Sequence, residues 1–305
     1  MKKLLTILGP TASGKSAMAM YLAKELDAEI VSCDSMQVYR NLDIGSAKPS
    51  KEDLLRVPHH LIDILDIQQR FSVADFITLA QQAIQEIQAR GKQVIMCGGT
   101  GLYARSLLYG FEFWPSNQEI SDSIRFEMQN GNEQRLYEEF CQLATKELQV
   151  SLVNPRHWTR ALEVMRITGE APQAQQHHNV PKFAAPEHIL LPTPEFSRER
   201  IRKRCMEMID EGWIEETEQL ISKGLLESPT ACQAIGYKEI IQFVKGEIHS
   251  KEDLIEKLVT QTSRYAKRQR TWMRNQHPNS IQHSIESLSD WESASKSILK
   301  TWKTV

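Results

Sequence analysis

Cysteine is scarce in this sequence, and its arrangement excludes two kinds of site. The 305 residues contain five cysteines, an odd number, and no two of them have CxxC spacing. A disulfide-linked scaffold and a zinc site both need paired or clustered cysteines. We therefore expect free thiols and a location in the reducing cytoplasm.

Long apolar runs are also lacking. No apolar stretch approaches the roughly 20 residues that a membrane-spanning helix needs. The start of the chain, with two lysines before the apolar residues 4–8, is superficially similar to a signal peptide. The run is short, however, and leads into a glycine-rich turn without a small-residue cleavage site. We interpret it as a first β-strand and expect no membrane association.

A large net charge is missing as well. The formal net charge of -2 argues neither for nor against a nucleic-acid partner. Basic residues nevertheless concentrate in two stretches, 198–204 and 264–274. Each stretch is either a local anion-binding surface or an ordinary solvated helix face.

Four apolar runs, at 3–8, 28–33, 93–97 and 188–191, have the length and composition of strands. Helical patterns lie between them, for example at 16–26 and 74–90. Alternation of strand and helix predicts an α/β fold, with a parallel sheet and helices on both faces. Ligands bind such sheets beyond the carboxyl ends of the strands. We therefore expect Thr11, Asp34 and Thr100 to surround one crevice.

The middle of the chain has a different composition, which is rich in charged, helix-forming residues. Helices are predicted at 121–129, 133–148 and 156–167, followed by a loop at 173–186. We interpret residues 113–185 as a mostly helical inserted domain and residues 1–112 and 186–305 as the core domain. Long helices are predicted at 198–223 and 251–275, and the tail after residue 275 is polar and gives no clear signal.

The strongest motif is GPTASGKS at residues 9–16, which matches the P-loop pattern GxxxxGK[ST] between a predicted strand and a predicted helix. Its backbone N–H groups and the helix N-terminus attract a phosphate group, and Lys15 adds a mobile charge. The hydroxyl of Ser16 is a candidate ligand for Mg²⁺. Eight residues are therefore predicted to bind a phosphate group: Gly9, Pro10, Thr11, Ala12, Ser13, Gly14, Lys15 and Ser16.

Asp34 follows the second predicted strand and is the next informative residue. Its carboxylate either takes part in chemistry, as a base or through Mg²⁺-bound water, or caps the N-terminus of a helix. The glycines around Thr100 allow another backbone to approach the same crevice. Trp158 and Trp272 stand beside basic residues and are candidates for stacking on a base.

Several motifs, in order along the chain, make this sequence similar to the tRNA dimethylallyltransferase family. They are GPTASGKS at 9–16, DSMQVYR at 34–40, DIGSAKP at 43–49, PHHLID at 58–63, GGTGLY at 98–103, RALEV at 160–164, IGYKE at 235–239, and AKRQ at 266–269 with WMR at 272–274. The block from 34 to 49 is far more specific than the P-loop alone. The chain resembles the bacterial form, since no zinc-finger spacing follows the last motif.

The resemblance implies a P-loop fold, dimethylallyl diphosphate and tRNA as substrates, Mg²⁺ as cofactor, and a monomer. The acceptor is then N6 of adenosine 37, just 3′ of the anticodon, flipped out of its stack. Asp34 would act on the N6 proton, Thr11 would donate to the bridging oxygen of the diphosphate, and Arg204 would stabilise its charge. The residues implied for tRNA binding are Asp34, Ser35, Met36, Gln37, Thr100, Arg156, His157, Arg160, Gly236 and Tyr237.

Two departures from the family pattern concern RNA contacts. His157 stands where the family commonly has an arginine, and Gln233 removes a positive charge. A small-molecule kinase, with ATP in the P-loop and Asp34 as base, is the main alternative. A nucleotide-switch RNA-binding module and prenylation of free adenine nucleotides are further alternatives, although no [NT]KxD guanine signature is present.

Overall fold

The structure is a computed structural model that describes residues 3–110, 114–172, 182–184 and 186–304. The chain divides into two compact units, Met1–Gly110 with Asn179–Val305 and Phe111–His178. The second unit overlaps the predicted insertion at 113–185 but ends earlier in the chain. The predicted loop at 173–186 falls largely outside the described residues.

Six strands form the sheet of the first unit: β1 (Leu5–Leu8), β2 (Ala28–Ser32), β3 (His59–His60), β4 (Gln93–Gly98), β5 (Glu187–Pro192) and β6 (Ile281–Ile285). Their order is β3-β2-β4-β1-β5-β6, and every neighbouring pair is parallel. The predicted α/β fold is thus confirmed. The two-residue β3 and the edge strand β6 were not predicted.

Nine helices of the described chain belong to this unit: α1 (Lys15–Leu26), α2 (Lys51–Arg56), α3 (Val73–Ala89), α4 (Gly101–Tyr109), α9 (Pro194–Asp210), α10 (Trp213–Ser222), α11 (Tyr237–Val244), α12 (Lys251–Gln276) and α13 (Leu288–Thr304). Alternate strand residues supply two apolar cores, one on each face. Leu5 and Ile7 pack with α1 and α13, whereas Leu4 and Leu8 pack with the layer that contains α3, α4, α9 and α12.

The helix predicted at 198–223 is interrupted, and the tail is ordered. Gly212 has φ 103°, a left-handed conformation that ends one helix and starts another, so α9 and α10 are separate. The polar tail forms β6 and α13, which pair with β5 and cover the α1 face. The amphipathic helix α13 buries Ile298 and Trp302. The mostly polar composition of this segment gave no clear helical pattern in the sequence.

The second unit contains four described helices, α5 (Gln118–Gln129), α6 (Glu133–Leu143), α7 (Lys146–Ser151) and α8 (Pro155–Thr168). The predicted helix at 133–148 is split, because Thr145 accepts a hydrogen bond from the Leu148 N–H and starts a new helix. A small core holds the helices together, with Phe140 and Trp158 at its centre. No helix within the described residues is long and apolar enough to span a bilayer.

Candidate active site

The P-loop connects β1 to α1 and is shaped by close backbone contacts. A Cβ atom at Gly9 would lie 2.4 Å from Ser13 Oγ and 2.9 Å from the Leu190 carbonyl oxygen, so only glycine fits. Gly14 has φ 85° and provides no side-chain cap for α1. The first-turn N–H groups of α1 are therefore left for a ligand, at the positive end of the helix dipole.

Lys15 bends back over this loop. Its Nζ donates to the Pro10 carbonyl oxygen at 3.3 Å. Burial lowers the pKa of Lys15, and the charge of Arg204 lowers it further, whereas Asp34 and two cysteine thiols oppose the shift. The ammonium is thus poorly solvated and would gain more from a phosphate partner than an exposed lysine would.

Thr11 is held by a residue that the sequence analysis did not assign to the site. The Thr11 N–H donates to Gln269 Oε1 at 2.9 Å, and Gln269 Nε2 donates to the Gly99 carbonyl oxygen at 2.9 Å. One amide from α12 therefore joins the P-loop to the turn after β4. A Cβ atom at Gly99 would lie 2.5 Å from that amide nitrogen, which explains this glycine. Gln269 lies in the AKRQ block, but a single glutamine on a helix does not by itself predict a role in a site.

Asp34 lies at the end of β2, as predicted, but it precedes a turn rather than a helix. Its Oδ1 accepts hydrogen bonds from the N–H groups of Met36, at 2.9 Å, and Gln37, at 3.4 Å. The helix N-cap alternative is therefore wrong, since the next helix begins at Lys51. Asp34 lines the cavity available to a substrate, and no hydrogen bond within the described part of the chain uses its Oδ2.

The turn after β4 packs directly on the turn after β2. A Cβ atom at Gly98 would lie 2.0 Å from the Cys33 carbonyl oxygen. Thr100 donates its N–H to that oxygen at 3.2 Å, and its Oγ1 accepts from the Ser35 N–H at 3.1 Å. Thr100 therefore fixes the segment that carries Asp34, as well as standing at the start of α4.

The backbone of the DIGSAKP block is held by one carboxylate on α10. Oε2 of Glu216 accepts from the N–H groups of Asp43 and Ile44, at 3.0 and 2.7 Å, and Oε1 accepts from the Gly45 N–H at 3.1 Å. The Tyr237 hydroxyl donates to Oε1 at 2.7 Å. Gly45 has no room for a side chain, because its Cβ would lie 2.2 Å from Trp213 Nε1.

Gly236 and Tyr237 are buried, which corrects the role that the resemblance implied for them. Tyr237 has no exposed surface, and a Cβ atom at Gly236 would lie 2.2 Å from Trp213 Cη2. Both residues support the wall of the cavity from behind. A direct contact between the Tyr237 side chain and tRNA does not fit this burial.

Gln37 links the same block to the sheet. Its Oε1 accepts from the Ser32 hydroxyl at 2.9 Å, and its Nε2 donates to the carbonyl oxygens of Ser46 and Ala47 at 3.4 and 3.2 Å. The predicted residues Ser35 and Met36 are half-buried beside it. These bonds make Gln37 a positioning residue for the cavity rim, whatever it contacts in RNA.

These elements enclose one cavity, which Thr11 and Asp34 line as predicted. Thr100, the third predicted residue, is not among its described lining residues. The polar lining includes Lys15, Ser16, Arg204 and Gln269, and the apolar lining includes Met36, Ile201, Met208, Trp213 and Ile235. Such a cavity fits a ligand with an anionic group and a short apolar chain.

Arg204 reaches the cavity from α9 and is half-buried. Burial lowers its pKa, while the neighbouring Cys205 thiol and the Asp34 carboxylate oppose that shift. Arg204 and Lys15 therefore put two cations and one carboxylate around the P-loop, in a place with little water to screen them. This arrangement can stabilise a polyanion and accept one proton.

The remaining predicted residues lie in the second unit. Arg156 and His157 are exposed at the start of α8. Arg160 pairs with Glu163 at 2.6 Å and donates to the Trp114 carbonyl oxygen at 2.7 Å. Trp158 is 2 % exposed and packs on Tyr137 at 5.3 Å between ring centroids, so stacking on a base is wrong for Trp158.

Two further expectations can be compared with the structure. All five cysteines are free. Among the described residues, no group of three or more His, Cys, Asp or Glu side chains could hold a metal ion. Trp272 is 39 % exposed on α12, so stacking on a base stays a prediction for this residue.

The family model described as "IPP transferase" matches residues 37–276. This chain belongs to the IPP transferase family. The match includes residues 37–49 of the DSMQVYR and DIGSAKP motifs, the second unit and all of α12, and the resemblance inferred from the sequence is thereby confirmed.

Individual members of the IPP transferase family agree over nearly the whole chain. A tRNA dimethylallyltransferase of Exiguobacterium sp. is 42% identical over 288 residues, which cover 90% of this chain and 89% of that protein. The crystal structure of a tRNA isopentenylpyrophosphate transferase from Bacillus halodurans has a TM-score of 0.72 and 32% identity, and covers 100% of this chain and 98% of the other. A eukaryotic dimethylallyltransferase acting on tRNA has a TM-score of 0.80 at 25% identity, covering 97% and 77%.

Proposed function

We propose that this chain transfers a dimethylallyl group from dimethylallyl diphosphate to N6 of adenosine 37 in tRNA and releases diphosphate. The observation that carries the proposal is the convergence of Thr11, Lys15, Asp34 and Arg204 on one cavity that apolar side chains also line. Relatives named for this reaction match nearly the full length of the chain. The reaction forms a bond between N6 and C1 of the allyl group and breaks the bond between C1 and oxygen.

The P-loop would bind the diphosphate. Allylic carbon–oxygen cleavage depends on stabilising the departing charge, and preorganised donors in a poorly solvated site do so effectively. Lys15 and Arg204 supply two cations, and the first turn of α1 supplies N–H groups. The Thr11 hydroxyl is not used by any hydrogen bond in the described part of the chain, and we assign it to the bridging oxygen.

Asp34 would accept the N6 proton. Its Oδ1 is held by two backbone N–H groups, which fixes the carboxylate plane and leaves Oδ2 for the amine. A general base must be within hydrogen-bond reach of the proton that it takes, and the cavity gives the adenine amino group that access. The proton thus ends on Asp34 and the negative charge on diphosphate.

The donor set fits Mg²⁺ bound mainly through the diphosphate. Mg²⁺ commonly takes one or two protein oxygens, several waters and substrate phosphates, so a large protein cluster is not needed. The exposed Ser16 hydroxyl at the start of α1 would contribute one ligand. The ion would neutralise charge on the leaving group, and we further expect the chain to work as a monomer.

A kinase is the weaker alternative for this site. ATP would occupy the P-loop, but the apolar side chains of Met36, Ile201 and Met208 in the cavity lining fit a short apolar chain better than a polar hydroxyl acceptor. The relatives are also named for prenyl transfer rather than phosphorylation.

The proposal is tested by incubating the chain with Mg²⁺, labelled dimethylallyl diphosphate and unmodified tRNA. We expect label in the RNA, and none when adenosine 37 is replaced by guanosine. Label in free adenine nucleotides instead, or phosphorylation of a small molecule from ATP, would contradict the proposed acceptor or the reaction respectively.

A further inference from the structure

Two residues outside the active cavity lie against the P-loop. At Gly14, the N-cap of α1, an ideal Cβ atom would lie 3.7 Å from Arg200 Nη2, and 3.6 and 3.7 Å from Cδ1 and Nε1 of Trp291. Arg200 belongs to α9, and Trp291 belongs to the first turn of α13. Neither residue lines the cavity that holds Asp34. Both therefore meet the phosphate-binding loop beside that cavity.

The charge of Arg200 is unpaired in the described part of the chain, where its guanidinium group makes no ion pair or hydrogen bond. Its Cζ lies 5.6 Å from the centre of the Phe196 ring, one turn earlier on α9. Arg202, on the same helix, is instead paired with Glu256 at 2.6 Å. An exposed arginine is usually solvated on all sides, but this one is held on an aromatic ring with its tip at the P-loop. Its charge is thus available to a ligand of that loop.

Arg200 and Arg204 form a pair of like charges. They are four residues apart, so their side chains share one face of α9. Burial lowers the pKa of Arg204 most, and the positive charge of Arg200 adds to that effect. Asp34 is the acidic side chain among the described lining residues of the cavity, whereas Lys15, Arg200 and Arg204 are three cations around the loop. A ligand with several negative charges would remove the repulsion among them.

Trp291 limits where the guanidinium group of Arg200 can lie. Its ring packs edge-to-face on Tyr21 of α1, with 5.6 Å between the ring centroids. The Trp291 backbone N–H donates to the Ser287 carbonyl oxygen at 3.3 Å, which fixes the start of α13. Since the indole ring and Arg200 Nη2 lie within 4 Å of the same point above Gly14, the ring bounds the space that the guanidinium group can occupy.

We propose that Arg200 is a further diphosphate-binding residue, which contacts the phosphate farther from the allyl group, and that Trp291 positions it. The assignment rests on the proposed function, since it needs a diphosphate donor. The allyl carbon must lie near Asp34, so the phosphate attached to it lies in the cavity with Thr11 and Arg204. The outer phosphate then extends along the P-loop toward the start of α1, where Arg200 meets Gly14.

The first test measures the Kd for inorganic diphosphate with Mg²⁺ and without RNA. Arg200→Gln should bind diphosphate about 10-fold more weakly, which is the loss expected for one charge-assisted hydrogen bond. Arg200→Lys keeps the charge without the planar fork and should recover part of this loss. Lys203→Gln is the control, because it removes a positive charge from a side chain of the same helix that is 79 % exposed. The affinity of this control should change by no more than about 2-fold.

Steady-state kinetics separate a contact with the outer phosphate from a general effect on folding. Arg200→Gln should raise the KM for dimethylallyl diphosphate about 10-fold and leave kcat within about 2-fold, because the contact is made equally before and in the transition state. A structural defect would lower kcat through loss of active enzyme and leave KM unchanged. Equal falls in kcat and kcat/KM would place Arg200 at the reacting end of the donor and overturn the assignment.

The role of Trp291 is tested by two substitutions. Trp291→Ala should weaken diphosphate binding about 3-fold, since a freed arginine side chain must be ordered on binding. Trp291→Phe keeps a ring beside Arg200 and should retain the affinity. In the Arg200→Gln background, Trp291→Ala should have no further effect. Additive losses in that double variant would show that Trp291 acts independently and overturn its positioning role.

An unchanged Kd for diphosphate in Arg200→Gln would overturn the proposal. The Kd for an anticodon stem-loop RNA, measured without donor, should also stay the same in this variant. Weaker RNA binding with unchanged diphosphate binding would mean that Arg200 contacts RNA instead. Because diphosphate binding needs no prenyl transfer, these measurements remain decisive if the transfer assay fails. Transfer by the wild-type chain, with unaltered diphosphate affinity in Arg200→Gln, would leave the proposed function standing and remove Arg200 from the site.

Discussion

The polar groups that line the active cavity of the first unit differ from those of the second unit in what they contact. In the first unit, Lys15, Asp34, Arg204 and Gln269 come from four separate segments and converge on one cavity. In the second unit, the polar groups pair among themselves, as when Arg166 donates to both carboxylate oxygens of Glu139 at 2.7 and 2.6 Å. Unpaired and poorly solvated polar groups point to a ligand, whereas mutually satisfied ones point to structure.

This difference indicates in which unit polar groups without a partner mark a reaction site. The first unit leaves the Thr11 hydroxyl and one oxygen of Asp34 available, which is where a substrate is expected. The described core of the second unit contains Phe140 and Trp158, whereas Arg156 and His157 are exposed and are the residues of this unit that we propose for RNA contact.

The largest expected effect is at Asp34. Asp34→Asn keeps an Oδ1 that accepts from Met36 and Gln37, so the turn should remain, but the base is lost. We expect kcat to fall by about 10²- to 10⁴-fold while the Kd for tRNA stays within a few fold. Single-turnover transfer and filter binding measure the two quantities. Asp210→Asn, at the exposed end of α9, is the control; equal rates for Asp34→Asn and wild type would remove the base role.

A core substitution in the second unit sharpens the comparison. Trp158→Ala should destabilise that unit by about 3–5 kcal/mol, because it empties the space between Tyr137 and Phe140. Binding of the donor diphosphate to the first unit should persist, and RNA binding should weaken. Hydrogen exchange resolved along the chain measures the first effect. Val153→Ala, 77% exposed in the same unit, should change little; loss of donor binding in Trp158→Ala would mean that the units are not independent.

A substitution of Gln269 tests whether the link between the P-loop and the turn after β4 is needed for activity. Gln269→Leu leaves the Thr11 N–H and the Gly99 carbonyl oxygen unpaired, at a cost of about 1–3 kcal/mol for each buried group. We expect kcat/KM for dimethylallyl diphosphate to fall by about 10- to 100-fold. Gln261→Leu, on the same helix, is the matched control, and equal losses in both variants would assign the effect to α12 in general.

A smaller effect is expected from pH. Because burial lowers the pKa of Lys15, the free chain should lose this charge at a lower pH than an exposed lysine does. The affinity for diphosphate is present below the folded pKa and declines as pH rises through it, so kcat/KM for the donor should fall in the alkaline range before pH 10.5. Lys15→Arg keeps its charge to higher pH and should flatten the profile; an unchanged profile would mean that another group titrates.

The smallest effect is expected at His157. His157→Arg adds a permanent positive charge at an exposed position of the second unit. The Kd for tRNA should decrease on the order of 2- to 5-fold at low salt, with the salt slope steeper by at most about 1. Arg125 is paired with Asp122 in the same unit, and Arg125→Gln is the control. The loss of this charge should not raise the Kd for tRNA by a comparable factor. An unaltered slope would show that residue 157 does not meet a phosphate.

Much of the first unit was predictable because its signals are local. Alternating strands and helices, the P-loop glycines and the placement of Asp34 after a strand all follow from short sequence patterns. Gln269 and Glu216 were not predictable in the same way, since each acts across more than 170 residues of sequence through an ordinary side chain. The Trp158 prediction was wrong because an aromatic residue beside basic residues was interpreted as a contact, whereas its ring is buried in the core of the second unit. The role of Tyr237 came from the family resemblance, and a side-chain contact with tRNA does not fit its burial.

The hydrogen bond from Thr11 to Gln269 also bears on how the enzyme is made. It joins residues 258 positions apart, so one of these two neighbours in the active cavity leaves the ribosome long before the other. Contacts of such long sequence separation form late, because the intervening chain must be ordered first. A nascent chain that already displays its P-loop therefore lacks the completed cavity until α12 has emerged, and a chain truncated before residue 269 carries the phosphate-binding motif without the partner that positions it.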